Sequence, residues 1–140
     1  MPNRIAAAAG VALTVAVLGA CTSRPQTPLS SAASVTVKGN DAWIHNVTCG
    51  QLEWYRTIDI GGDYSGAEIV IDEHAQPLVA KSVRIRNLGG FTGTHSKDDG
   101  ANADVSVSGD RFTIIGTAKG FKTDKPGEPA SAAFKISAKC

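Results

Sequence analysis

A chain of 140 residues with 14 basic and 13 acidic side chains is sized for one domain with appendages, and a core at that length buries roughly two-thirds of the surface the unfolded chain exposes. Its formal charge of +1 gives no electrostatic footing for nucleic acid as a partner. Fifteen glycines and a single methionine, the initiator, in a chain rich in Val, Ile and Thr, point to strands and tight turns rather than helices.

Residues 1–20 read as an address. Arg4 and the amino terminus supply positive charge, and Ile5 to Leu18 then runs without a charged residue through alanine, valine and leucine. A bilayer-spanning helix needs about 20 apolar residues, whereas the apolar region of a secretory signal needs about 7–15, so the stretch predicts an export signal. Leu18-Gly19-Ala20-Cys21 places small residues and then a cysteine at the cleavage position. This resembles the bacterial lipobox, in which the cysteine thiol takes a diacylglyceryl group, the signal is cut before it and the new amino end is acylated. The expectation is lipidation at Cys21, with covalent diacylglycerol and an N-acyl chain and no other cofactor. The protein would then sit at the cell membrane, lipid-anchored and facing the outside or periplasmic space. The alternative, an ordinary signal cut near Ala20, leaves Cys21 as an odd thiol in an exported chain. Each buried methylene contributes about 0.8 kcal/mol and one chain holds only marginally, so two or three acyl chains are what a durable anchor takes. Loss of residues 1–20 removes Arg4, leaving thirteen basic against thirteen acidic side chains.

Residues 21–34, the predicted lipidated cysteine and linker, are Thr, Ser, Pro, Gln and Ala with one charge, Arg24, and one large apolar residue, Leu29. Such a composition buries too little surface to offset chain entropy. With Cys21 committed to lipid, Cys49 and Cys140 have only each other, and export places both where disulfides persist. A loop of about 90 residues closed this way stabilises a fold by roughly 4–5 kcal/mol in the chain-entropy model.

Residues 35–140 read as the β-rich extracytoplasmic domain. Val35-Thr36-Val37 alternates and stops at Gly39-Asn40-Asp41, and Trp43 to Cys49 makes a second apolar-rich run closed by Gly50. Leu52 to Ile60 alternates Leu52, Trp54, Ile58 and Ile60 against Glu53, Tyr55, Thr57 and Asp59, with Arg56 out of pattern, and Gly61-Gly62 ends it. That period predicts Trp54 in the core and Tyr55 toward the surface. Ala67 to Asp72 follows as a short strand, and Val79 to Leu88 sets Val79, Lys81, Val83, Ile85 and Asn87 on one face with only the middle buried. Asp104 to Val107 and Arg111 to Ile114 flank Ser108-Gly109-Asp110 as a hairpin. Ala132 to Lys139 closes the chain with Phe134, Ile136 and Ala138 inward. About eight short strands and no sustained helical period predict an all-β, antiparallel sandwich or open barrel.

Val47-Thr48-Cys49, Ile58-Asp59-Ile60-Gly61, Lys81-Ser82-Val83 running on to Asn87, Gly100-Ala101-Asn102-Ala103, Gly109 to Gly120 and Phe134 to Cys140 together resemble the mycobacterial LpqH-type lipoprotein antigens. The similarity covers most of the folded domain and the two-cysteine arrangement, whereas the linker here is shorter and less Thr-rich and Trp43, Trp54 and Tyr55 are bulkier. The resemblance implies a cell-envelope lipoprotein without catalytic activity, displayed to host innate immune receptors that sense the acylated terminus.

Candidate sites are sparse. His45, His74 and His95 are scattered, which argues against a shared metal, and Asp98-Asp99-Gly100 with Asp104 lacks the ligand spacing of a calcium loop. Asp72-Glu73-His74 has no nucleophile tied to it. Asn46-Val47-Thr48 fits a glycosylation pattern that carries little weight in a bacterial protein. Lys119, Phe121 and Lys122, read as part of a basic exposed loop, and Tyr55 are the candidate contacts for a lipid or glycan. A carrier of such a ligand is the alternative to a display module, and it predicts an apolar pocket of about 300 Å³ or more.

Overall fold

The structure is a computed structural model, and residues 32–140 are described. The predicted signal, Cys21 and all but the last three linker residues lie outside them. The domain is all-β: β1 (Ala33–Val37), β2 (Asn40–Ile44), β3 (Val47–Leu52), β4 (Tyr55–Gly61), β5 (Gly66–Asp72), β6 (Val79–Leu88), β7 (Phe91–Ser96), β8 (Asp104–Ser108), β9 (Arg111–Lys122) and β10 (Lys125–Lys139), with one 3-10 turn over Lys97–Asp99.

These ten strands are antiparallel and share one sheet in the order β2-β1-β10-β9-β7-β6-β5-β4-β3, with β8 pairing both β6 and β9. A disulfide from Cys49 in the edge strand β3 to Cys140, just past β10, brings their Cα atoms to 5.9 Å. The sheet therefore curls back on itself and encloses one core, as the expected sandwich or open barrel requires. Val35, Val37, Ile114 and Ile136 enter from β1, β9 and β10, and Ile58, Ile60, Ile69, Ile71, Val83 and Ile85 enter from β4, β5 and β6; all are fully buried. Each contributes about 1.5–3 kcal/mol relative to an exposed position.

The β8–β9 hairpin forms where the alternation places it, around a two-residue turn in which Gly109 takes φ 62. The inward set Ala132, Phe134, Ile136 and Ala138 on β10 also matches its alternation. Ten strands replace the eight expected, because β7 (Phe91–Ser96), beyond Gly89-Gly90, is not among those eight and because β3 takes the end of one apparent run and the start of the next, both of which are broken. Trp43 to Cys49 divides at His45-Asn46, where the chain leaves edge strand β2 for edge strand β3, and Gly50 lies within β3. Leu52 to Ile60 divides at Glu53-Trp54, a two-residue turn in which Glu53 takes φ 53 and Leu52 pairs with Tyr55. A two-residue turn pairs each residue with the third one on and so switches the inward parity, from odd numbers in β3 (Val47, Cys49, Gln51) to even numbers in β4 (Arg56, Ile58, Ile60), although the sequence rhythm runs on unbroken. Trp54 and Leu52 are consequently 58% and 74% exposed, not core partners of Ile58.

In β6 the predicted face holds only through Val83 and Ile85. The register shifts between Val70 and Ile71 on the β5 side and between Ile85 and Leu88 on the β7 side. Each slip changes which parity faces inward, so Ala80 and Leu88 are buried at the two ends while Lys81 is exposed and Asn87, at φ 44, is half-buried. Lys119 to Lys122 is strand rather than loop: β9 carries on to Lys122, which pairs with Lys125 across the hairpin tip. His95 is buried in β7, with Nδ1 3.1 Å from the Thr117 carbonyl and its ring edge-on to Phe134. A carbonyl only accepts, so Nδ1 carries the proton.

Candidate functional site

One end of the domain holds an open cleft of ≈ 510 Å³, lined by Arg56, Glu73, Leu78, Val107, Gly109, Asp110, Phe112 and Cys140. Arg56 leads into it from β4, Glu73 and Leu78 come from the loop between β5 and β6, and the β8–β9 hairpin supplies the opposite wall. Arg56 is the residue that broke the alternation of its strand. Its parity matches that of Ile58 and Ile60, so it points inward, but at the mouth of the sandwich its charge finds a partner instead of the core.

That partner is Glu73. Arg56 Nε donates to Glu73 Oε1 at 2.6 Å, Gln51 Nε2 donates to Glu73 Oε2 at 2.9 Å, and the guanidinium lies over the Phe112 ring at 5.1 Å. The Arg56 hydrogen bond, aided by Gln51 and by the guanidinium charge, holds the Glu73 carboxyl below its ordinary range against a smaller opposing effect of burial. The cleft is thus amphipathic: Leu78, Val107 and Phe112 provide an apolar lining, and a compensated ion pair provides a polar wall. Its volume exceeds that expected of a carrier pocket, although it opens at the end of the sandwich rather than between the sheets.

The other candidates disperse. Asp72 accepts from the His74 backbone N–H at 3.0 Å, and the His74 ring lies tilted against Trp54 with centroids 5.5 Å apart, so Asp72-Glu73-His74 is divided among three separate contacts. Asp98 and Asp99 sit in the 3-10 turn capped by Ser96. Among the described residues no three His, Cys, Asp or Glu side chains gather as metal ligands. Asn46 donates to the Gly61 carbonyl at 2.9 Å.

Tyr55 lies under the Lys81 ammonium at 4.5 Å from its ring centroid. Its strand position pairs with Asp72, and Asp72 pairs with Val79 at the start of β6. Phe121 pairs with Thr92 and Lys122 with Phe91, whose other neighbour is Leu88 at the finish of β6. Tyr55 and the Lys119-Phe121-Lys122 group therefore occupy opposite ends of the domain and cannot hold one small ligand. Two shallow depressions of ≈ 220 and ≈ 230 Å³ flank the lysines. The sequence reading passed over Arg56, Leu78, Val107 and Phe112, and the one signal available was the charged residue at an inward parity.

An all-β domain whose first folded third is bonded to its last residue across 91 positions is a small disulfide-closed module of the kind suited to an oxidising compartment. The model of the Mycobacterium 19 kDa lipoprotein antigen family matches residues 26–140, and the chain belongs to that family. A protein of Mycobacterium indicus pranii described as a lipoprotein is 58% identical over 140 residues, the whole of both chains. LppE of Mycobacterium tuberculosis, also described as a lipoprotein, is 34% identical over 141 residues, again end to end. The lipoprotein LpqH of Mycobacterium bovis is 30% identical over 113 residues, 79% of this chain and 70% of that one. The chain is thus a cell-envelope lipoprotein with a membrane-associated location, in line with its resemblance.

Proposed function

We propose that the protein is exported, acylated on Cys21 and held on the outer face of the membrane, where it displays its β domain as a surface antigen and interaction module without catalysing a reaction. The observation that carries this reading is the fate of the cysteines. Cys49 and Cys140 are bonded to each other, which leaves Cys21, directly after Leu18-Gly19-Ala20, as the one thiol free for lipid. Host innate immune receptors that read acylated termini are the partners such an anchor would offer.

The test is Cys21→Ser in the native host. The variant is expected in the culture fluid or soluble fraction, with the wild-type protein in membranes and its first mature residue heavier by diacylglycerol and one acyl group. A Cys21→Ser chain that still sediments with membranes overturns the reading.

The amphipathic cleft favours a second reading, a carrier of lipid or glycan. A single acyl chain or sugar fits its volume, and Arg56 offers a cation over an aromatic face. Native mass spectrometry of protein taken from its own envelope decides it, because a carrier retains a noncovalent ligand that Phe112→Ser releases.

A further inference from the structure

The chain enters the domain at the end that carries the cleft. Ala33 pairs with Ala138, and Ala138 pairs with Phe112, which lies beneath Arg56. At about 4.8 Å per strand, the entry point is about 10 Å from the cleft wall. The opposite end is formed by the turn at Lys38-Gly39 and by the Lys122–Lys125 hairpin, while the Gly61–Gly66 turn lies on the β2 side, where Gly61 exchanges hydrogen bonds with Asn46, two residues past the Ile44 that pairs with Ala33.

Large exposed apolar side chains gather at the entry end. Leu52 is 74% exposed and Trp54 58% exposed on the β3–β4 turn, and Val107, 44% exposed, stands across the cleft from them. Trp43, 72% exposed, is paired with Ser34, the second residue of β1. Among the described residues only Tyr64 and Ile115 are otherwise of this kind. Tyr64 stands on the Gly61–Gly66 turn, at the end of β4 away from the cleft, and Ile115 lies on the strand between Asp104 and Lys135. Two ion pairs at this end, Arg56–Glu73 and Lys139–Asp110, are compensated within the protein, while Lys81 and Arg111 offer two cations to set against Asp72 and Glu53.

Residues 22–31 separate Cys21 from Ala32. Ten residues reach at most about 35 Å. A lipid on Cys21 therefore keeps the entry point of the domain, about 10 Å from the cleft wall, within about that reach of the bilayer. Tryptophan, with an apolar body and one N–H, is a side chain suited to the boundary between headgroups and acyl chains.

Resting on the reading that Cys21 is acylated, the geometry points to a second, noncovalent membrane contact: the β3–β4 turn seats Leu52 and Trp54 in the headgroup boundary of the bilayer that holds the anchor. The domain then stands on its cleft end, the cleft opens toward lipid, and Lys119, Phe121 and Lys122 face away from the cell.

The test uses the full acylated protein carrying Trp43→Phe, purified from its host envelope and reconstituted into phosphatidylcholine vesicles, so that Trp54 is the one tryptophan. Vesicles with bromine near the glycerol end of their acyl chains are expected to quench Trp54, while aqueous iodide is not. Leu52→Asp is expected to reverse both, leaving Trp54 open to iodide with the protein still floating with the vesicles. Protein that floats with Trp54 open to iodide from the start overturns the membrane contact and leaves the anchor standing. Shielding from iodide without quenching by brominated lipid also overturns it, by placing another protein or a second copy on the turn. Protein that fails to float overturns anchor and contact together.

Discussion

The guanidinium of Arg56 lies 5.1 Å above the ring of Phe112 and spans the mouth of the sandwich from β4 to β9. The same side chain bonds Glu73 at 2.6 Å, so one cation ties together two strands and a loop that are distant in sequence. Half-exposed, the pair is weaker than a buried one but stronger than a free surface bridge, because the aromatic face and the second donor on Glu73 fix its geometry. Arg56→Ala is expected to lower unfolding stability by about 1–3 kcal/mol, read as a lower urea midpoint at unchanged slope. Arg56→Lys should recover only part of the loss, since an ammonium has no planar face to lay on Phe112.

The depressed carboxyl of Glu73 has a pH signature. In the unfolded chain Glu73 takes up its proton near the ordinary value of 4.5, whereas in the folded protein Arg56 keeps it ionised to lower pH. The stabilisation is fully present above the ordinary value and is lost as pH falls through the folded one, because the unfolded state binds the proton first. The stability advantage of wild type over Glu73→Gln should be constant around neutrality and shrink steadily on acidification below about pH 5. Urea unfolding at a series of pH values reads this directly, and an advantage that grows on acidification contradicts the assignment.

Much of the fold was legible because burial on one face writes itself as alternation. Phe134, Ile136 and Ala138 on β10 and the hairpin around Gly109 needed nothing from the rest of the chain. Legibility failed where alternation survives a change of structure. The turn at Glu53-Trp54 pairs Leu52 with Tyr55 and so switches the inward parity, leaving Leu52 and Trp54 outside the core although they share an even rhythm with Ile58. In β6 the register slips near Lys81 and Asn87 altered parity where the sequence shows an even rhythm. The cleft was least legible, since Phe112, Arg56 and Leu78 meet only when the sheet curls, and curling is a property of the whole sheet.

The Cys49–Cys140 bond joins an edge strand to the carboxyl end, where the Cys140 N–H also donates to the Asp110 carbonyl at 2.7 Å. For a separation of 91 residues the chain-entropy model assigns about 4–5 kcal/mol. Replacing both cysteines with alanine should cost that order of stability. It should also raise hydrogen exchange first in β3 and the last turn of chain, because β3 has a strand on one side only. Uniform loosening of all ten strands would show instead that the bond acts on the whole sheet.

The ladder between β7 and β9 runs from Phe91 to Thr94 against Lys119 to Lys122 and joins the two halves of the sheet. At its centre Gly93 faces Gly120. A Cβ on Gly93 would come within 2.6 Å of the Phe91 ring, which covers the glycine, and within 2.6 Å of the Lys119 carbonyl; a Cβ on Gly120 would collide with the Thr92 carbonyl and the Gly93 Cα. The obstacles at Gly120 are backbone, which cannot turn aside, so the strands must separate. Gly120→Ala is expected to destabilise by about 3 kcal/mol, at the upper end for overpacking. Gly50→Ala, with nothing within 4 Å of the new methyl, should change stability by less than about 0.5 kcal/mol. Thermal unfolding of the two variants side by side separates close approach of the strands from a general intolerance of alanine in place of glycine; equal losses would show that the glycine pair is not what sets the spacing of β7 and β9.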